Sequence, residues 1–218
     1  MKKALIIGST GMIGAELTRQ LLEDNNYTEV VSFVRRASGV KHPKLTEQIV
    51  DFDKPESWKE LLKGDVLFSA MGTTIASAKT KDNQYKVDFT YQYQTAQMAS
   101  DNGVPAYVLV SAAGASPRAL AFYMNMKGEL DEAVKRLPFK YIHIFRPGQL
   151  DGDRKENRTG ERIALKLVYF FNKLGIARKY RPIHATQLAK AMIIAAGYTA
   201  SGVYTLNISS SVYTPDAV

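Results

Sequence analysis

Apolar positions along this chain follow two alternating rhythms. Short, mostly apolar runs at residues 4–7, 29–34, 45–50, 66–70, 106–111 and 141–145 read as strands. The run 66–70 has no polar alternation, so it belongs to a strand buried on both faces. Between these runs lie longer amphipathic stretches. Over 12–23, Ile13, Leu17, Leu21 and Leu22 fall on one helical stripe. A long helix over 85–102 is ended by Gly103, and another over 120–136 stops before Pro138. In Asp53-Lys54-Pro55-Glu56 an Asp cap, a first-turn Pro and a Glu three residues after the cap predict a short helix, closed by Lys63-Gly64.

Strands alternating with helices are the mark of βαβ units on a parallel sheet. Right-handed crossovers then predict an α/β fold, a Rossmann-type doubly wound parallel sheet, most simply in the order 3-2-1-4-5-6. The character changes after Pro147-Gly148. Residues 151–162 carry eight charges in twelve positions and read as an exposed loop. A helix over 163–174 is apolar almost all round, a second helix is expected over 184–198, and 203–208 alternates weakly as a late strand. We read 1–218 as a single domain, with a dinucleotide-binding core at 1–150 and a small C-terminal, substrate-side lobe at 151–218.

Composition narrows the function classes. The chain has 218 residues, 45% of them hydrophobic and 23% charged, which is globular and not disordered. It has no cysteine, so disulfide scaffolds, thiol nucleophiles and cysteine-held metals are excluded. Its apolar stretches are all shorter than the ~20 residues that span a bilayer. The apolar start ends at Gly8, too soon for a secretory signal, and reads as a buried first strand. A cytoplasmic protein is the expectation. The net charge is +8, and from Arg162 onward seven bases face one acid, Asp216. That surplus suits an anionic small molecule or a solvated face. The bases are spread out, unlike those of a nucleic-acid arm, so nucleic acid is not the expected partner.

Chemistry enters first at Gly8-Ser9-Thr10-Gly11-Met12-Ile13-Gly14, placed between the first strand and the first helix. Gly8 permits a tight turn, Gly11 lets backbone approach a diphosphate, and Gly14 lets helix and strand pack closely. Free N–H groups around Met12 and Ile13 and the positive helix end then face the phosphates. The spacing G-x-x-G-x-x-G is not that of a Walker A loop, because no Gly-Lys-Ser/Thr follows. Strand two ends in Val34-Arg35-Arg36 with no acid to grip a ribose 2′-hydroxyl. A guanidinium fork holds a 2′-phosphate, so NADP(H) is favoured over NAD(H). By position, Asp51-Phe52 after strand three and Ala70-Met71-Gly72-Thr73 after strand four border the adenosine half.

The second constellation is Tyr123-Met124-Asn125-Met126-Lys127, a phenol and an ammonium at i and i+4 on one helix face. Ser111, twelve residues upstream, ends strand five at the carboxyl edge of the sheet, where ligands of such folds lie. A neighbouring ammonium favours phenolate. The phenol can then exchange a proton with a substrate oxygen as carbon gains or loses hydride, with Ser111 holding the same oxygen.

These pieces, together with Arg146-Pro147-Gly148-Gln149-Leu150-Asp151-Gly152, make the chain resemble the short-chain dehydrogenase/reductase superfamily in its atypical and extended branch. Within it the chain looks most like the small proteins similar to the human Tat-interacting oxidoreductase, over about residues 3–208. The resemblance implies an NADP(H)-binding Rossmann fold, Ser111, Tyr123 and Lys127 as a catalytic triad, and Pro147-Gly148 against the nicotinamide. Many short-chain enzymes add an Asn from the long helix before strand five, whereas Val87-Asp88-Phe89 has none. Some atypical members bind nucleotide as regulators, and sugar-nucleotide epimerases use the same Tyr and Lys. His42, His143 and His184 are far apart and lack metal-ligand spacing, so no metal site is expected. Both a monomer and a homodimer paired through the two long helices fit the sequence.

Overall fold

The structure is a computed structural model that describes residues 1–148, 150–151, 183–198 and 200–208. The charged stretch, apart from Asp151, and the apolar helix expected over 163–174 lie outside the described residues. β1 (Lys2–Ile7), β2 (Tyr27–Val34), β3 (Leu45–Ile49), β4 (Val66–Ser69), β5 (Ala106–Val110) and β6 (Tyr141–Pro147) follow the expected runs within one or two residues at most ends. They pair in parallel in the expected order, and β9 (Gly202–Ile208) extends the sheet beyond β6, giving β3-β2-β1-β4-β5-β6-β9. A two-stranded pair, β7 (Leu150–Asp151) with β8 (Ile183–His184), stands apart.

The sheet is coated on both faces because its strand residues alternate between two clusters. Ala4, Ile6, Phe68 and Val108 point to one face, where Leu17 and Leu21 of α1 (Met12–Glu23) pack with Leu188 and Met192 of α6 (Ala185–Ala195). Leu5, Ile7, Leu67 and Leu109 point to the other, against Ala96 and Ala99 of α4 (Tyr91–Asp101) and Leu130 and Val134 of α5 (Phe122–Val134). Each fully buried Leu of this kind contributes about 1.5–3 kcal/mol. The helix and strand at 185–195 and 202–208, expected in the tail lobe, are therefore part of the main sheet and its helix layer.

Two local expectations need correction. The helix expected after Asp53 is a pair of 3₁₀ turns, Pro55–Ser57 and Lys59–Leu61. Between them Trp58 is buried against Phe33 and Phe52, and its Nε1 donates to the Asp51 carbonyl at 3.0 Å. That anchor interrupts a continuous helix. Asp53 caps nothing there, because its carboxylate accepts the Tyr91 hydroxyl at 2.7 Å and pairs with Lys86 at 2.6 Å. The long helix expected over 85–102 starts earlier and is not uniform. α2 (Ile75–Ala78) is followed by α3 (Lys81–Tyr85), a π turn over Lys86–Thr90, and α4.

Candidate active site

The glycine turn has the steric logic its spacing suggests. Gly8 has φ +83°, and a Cβ there would come 2.4 Å from the Met71 nitrogen. A Cβ on Gly14 would come 2.1 Å from the Gly8 carbonyl oxygen. Both glycines are demanded by packing. Gly11 is different: the nearest atom to its ideal Cβ, the Gly8 oxygen, is 3.4 Å away, so its open side faces outward. Gly11 is also the N-cap of α1 and supplies no side-chain cap, which leaves the first-turn N–H groups without a side-chain acceptor. The turn is pinned to β2 by a hydrogen bond between the buried hydroxyls of Ser9 and Ser32. A Cβ-free approach to uncapped N–H donors fits a diphosphate. Arg35 and Arg36 stand exposed just beyond β2, free of ion pairs among the described residues. Ala70, Met71, Gly72 and Thr73 form the turn after β4, beside the glycines. Asp51 is exposed, but the Phe52 ring is buried against Trp58 and Tyr91, so only its backbone borders the surface.

Helix α5 carries Tyr123, Lys127 and Asp131 one turn apart. Tyr123 is 37% exposed, whereas Lys127 is 2% exposed and Asp131 fully buried. Lys127 Nζ lies 3.3 Å from Asp88 Oδ1, a carboxylate itself only 1% exposed, carried by the π turn. Burial pushes the Lys127 ammonium down, but the facing Tyr123 and Asp88 outweigh that, and the group is held above the ordinary lysine value. Burial pushes Asp88 upward against the pull of Lys127 and of the Thr73 N–H, which donates to Oδ2 at 2.8 Å. Asp131 is likewise raised by burial, opposed by Ser111, Arg146 and Lys127. Arg146 of β6 grips Asp131 Oδ2 through Nε and Nη2, both at 2.8 Å.

Ser111, just past β5, is buried and its Oγ has no hydrogen-bond partner. The Ser111 side chain stands near Asp131 and is the largest influence pulling that carboxyl down against its burial. Tyr123 and Asp131 both raise the Lys127 ammonium, and Ser111 bears on Asp131, one turn further along α5. β6 ends at Pro147, with Gly148 next, and the Ala113 N–H donates to the Pro147 carbonyl at 2.9 Å.

Sequence reasoning missed Asp88, Asp131 and Gly128. Asp131 continues the Tyr123–Lys127 face by one turn, a signal that was legible. Asp88 occupies the stretch noted for lacking Asn, and its carboxylate meets Lys127 directly. No group of three or more His, Cys, Asp or Glu able to hold a metal occurs among the described residues.

A family described as NAD(P)H-binding matches residues 8–178. The chain belongs to this NAD(P)H-binding family. Curated relatives of this NAD(P)H-binding protein include the mitochondrial protein fmp52 of Emericella nidulans, 37% identical over 75% of this chain and 73% of the relative. The mitochondrial FMP52 of Saccharomyces cerevisiae is 37% identical over 71% of this chain and 68% of its own. Among solved structures, the Bordetella bronchiseptica enzyme WbmH in complex with NAD⁺ has a TM-score of 0.72 at 21% identity, covering 96% of this chain and 76% of that one. A UDP-glucose 4-epimerase of Thermotoga maritima has a TM-score of 0.72 at 13% identity, covering 96% and 77%. These structural likenesses establish the Rossmann-like fold.

The expectation of a cytoplasmic protein is overturned by the curated relatives, whose names are mitochondrial. Absence of cysteine and of a long apolar stretch bears on redox chemistry and membrane spanning, whereas an organellar address is read by receptors and leaves neither mark. No helix among the described residues is long and apolar enough to cross a membrane.

Proposed function

We propose that this protein is an NADP(H)-dependent oxidoreductase of the short-chain type, acting on a small carbonyl or alcohol substrate. The observation that carries the reading is an exposed tyrosine, Tyr123, one helical turn from an ammonium at 2% exposure, together with a buried hydroxyl without a hydrogen-bond partner, Ser111, at the end of β5. When bound, the dinucleotide supplies or accepts hydride. The chain's own residues do the rest. Gly8, Ser9, Thr10, Gly11, Met12, Ile13 and Gly14 hold the diphosphate, and Arg35 with Arg36 takes a 2′-phosphate. Asp51, Phe52 through its backbone and the turn 70–73 flank the adenosine half, and Pro147 with Gly148 lies against the nicotinamide. Tyr123 passes a proton to or from the substrate oxygen, Ser111 donates a hydrogen bond to that oxygen, and Lys127 keeps positive charge beneath the phenol. The mitochondrial names of the relatives support residence in that organelle.

The test is NADPH oxidation against a panel of small aldehydes, ketones and quinones, with the wild type and Tyr123→Phe compared on a responsive substrate. A loss of about 100-fold or more is expected, the range for a general acid. Turnover that survives the substitution intact refutes the proton-donor role. Tight NADPH binding with no turnover anywhere in the panel points instead to a nucleotide-sensing protein.

A further inference from the structure

The Asp88 carboxylate has no role in the reaction outlined above, yet three elements converge on it. The Thr73 N–H donates to Oδ2 at 2.8 Å, Lys127 Nζ stands 3.3 Å from Oδ1, and a Cβ on Gly72 would come within 3.2 Å of the same Oδ1. The backbone that presents it is unusual. Within Lys86–Thr90 the helix widens to a π turn, closed by the Tyr91 N–H on the Lys86 carbonyl. Such turns are rare and concentrate at functional sites. This one is braced from beneath by two buried polar side chains. Ser69 Oγ donates to Gln92 Oε1 at 2.7 Å, and Gln92 Nε2 donates to the Asp88 carbonyl at 2.8 Å.

A carboxylate and an ammonium this deeply buried each require a partner, because an unpaired buried charge is strongly disfavoured. The other carboxylate near Lys127, Asp131, is already held by two contacts from Arg146. Among the described residues, Asp88 forms the one salt bridge of Lys127.

We infer that Asp88 is a positioning residue: it fixes the Lys127 ammonium under Tyr123 and joins it to the Gly72-Thr73 turn, so that seating a dinucleotide and ordering the proton-transfer pair are coupled. The inference rests on the function proposed above. It differs from simple support of the turn, because Asn at position 88 keeps an acceptor for the Thr73 N–H but offers no charge to Lys127.

The experiment is calorimetric titration of NADPH and NADH into wild type, Asp88→Asn, Lys127→Met and the double variant. It is paired with the ¹H–¹⁵N spectrum of lysine ammonium groups in the cofactor-free protein. Each single substitution is expected to weaken NADPH binding about tenfold, with the double no weaker than Lys127→Met, as for two residues acting through one contact. The Lys127 ammonium resonance, assigned by its loss in Lys127→Met, is expected in wild type, absent in Asp88→Asn and restored in Asp88→Glu, which keeps the charge. Wild-type affinity and an unchanged resonance in Asp88→Asn overturn the inference, as do losses that multiply in the double variant. A wild type that binds neither coenzyme overturns the cofactor reading and the coupling with it, while the resonance still reports whether Asp88 holds Lys127.

Discussion

Gly128 lies so close to Ser116 that a Cβ on the glycine would stand 2.1 Å from the Ser116 carbonyl carbon. This contact presses the loop after β5, which carries Ser111, onto the helix that carries Tyr123 and Lys127. Asn125 reinforces it, with Nδ2 donating to the Pro117 carbonyl at 2.7 Å. The obstructing atoms are backbone, so they cannot swing aside as a side chain would. Gly128→Ala is expected to destabilise the fold by about 1–3 kcal/mol, the usual range for overpacking. It should also depress turnover more than NADPH affinity, because the Ser111–Tyr123 spacing opens while the glycine turn is untouched. Urea unfolding and steady-state kinetics check both halves.

The glycines of the turn between β1 and α1 separate into two kinds. Gly11 has φ −78° and ψ 170°, a conformation open to any residue, and its Cβ would meet nothing nearer than 3.4 Å. Gly11→Ala is therefore expected to leave the melting temperature near that of wild type while NADPH binding falls sharply. Gly14→Ala is expected to lower stability itself, since its Cβ would stand 2.1 Å from the Gly8 carbonyl oxygen. Thermal unfolding and calorimetry on the two variants separate ligand approach from packing.

The paired guanidinium groups after β2 set the choice of coenzyme in our reading. Replacing Arg35 and Arg36 together by Ala is expected to weaken NADPH by about tenfold or more and leave NADH nearly unchanged, since charge-assisted bonds contribute about 1.5–3 kcal/mol. The preference of the wild type for NADPH should also shrink as salt rises, because exposed charges are screened. Equal losses for the two coenzymes would place the arginines elsewhere in the site.

Acid sensitivity should trace in part to His143. Its ring is buried, stacked on Tyr204 at 5.0 Å, and Nε2 has no hydrogen-bond partner. Burial holds the imidazole below its usual value. The unfolded chain takes up a proton near pH 6.5 that the folded chain resists, so stability is full above that pH and declines as pH falls toward the depressed folded value. His143→Phe keeps the stack and removes the titration. Urea midpoints measured between pH 7.5 and 5.5 are expected to fall less steeply for this variant than for wild type.

Much of this molecule follows from local pattern alone. The apolar runs and the stripe of Ile13, Leu17, Leu21 and Leu22 placed the strands and helices, because burial of a face is encoded by period, and right-handed crossovers then ordered the strands. The three glycines announced a tight turn between β1 and α1, because Gly8 and Gly14 have no room for a side chain. Tyr123 and Lys127 were visible because four residues make one helical turn.

What the tertiary structure alone decided concerns partners distant in sequence. Asp53 forgoes its helix cap for Tyr91 and Lys86. The strand at 202–208 chooses β6 as its neighbour and so joins the main sheet. Asp88 and Lys127, 39 positions apart by their numbers, meet as a buried pair. Hydrophobic period is a property of neighbouring residues, whereas a buried charge is tolerated only where the fold brings a second charge to it, and no local pattern carries that meeting.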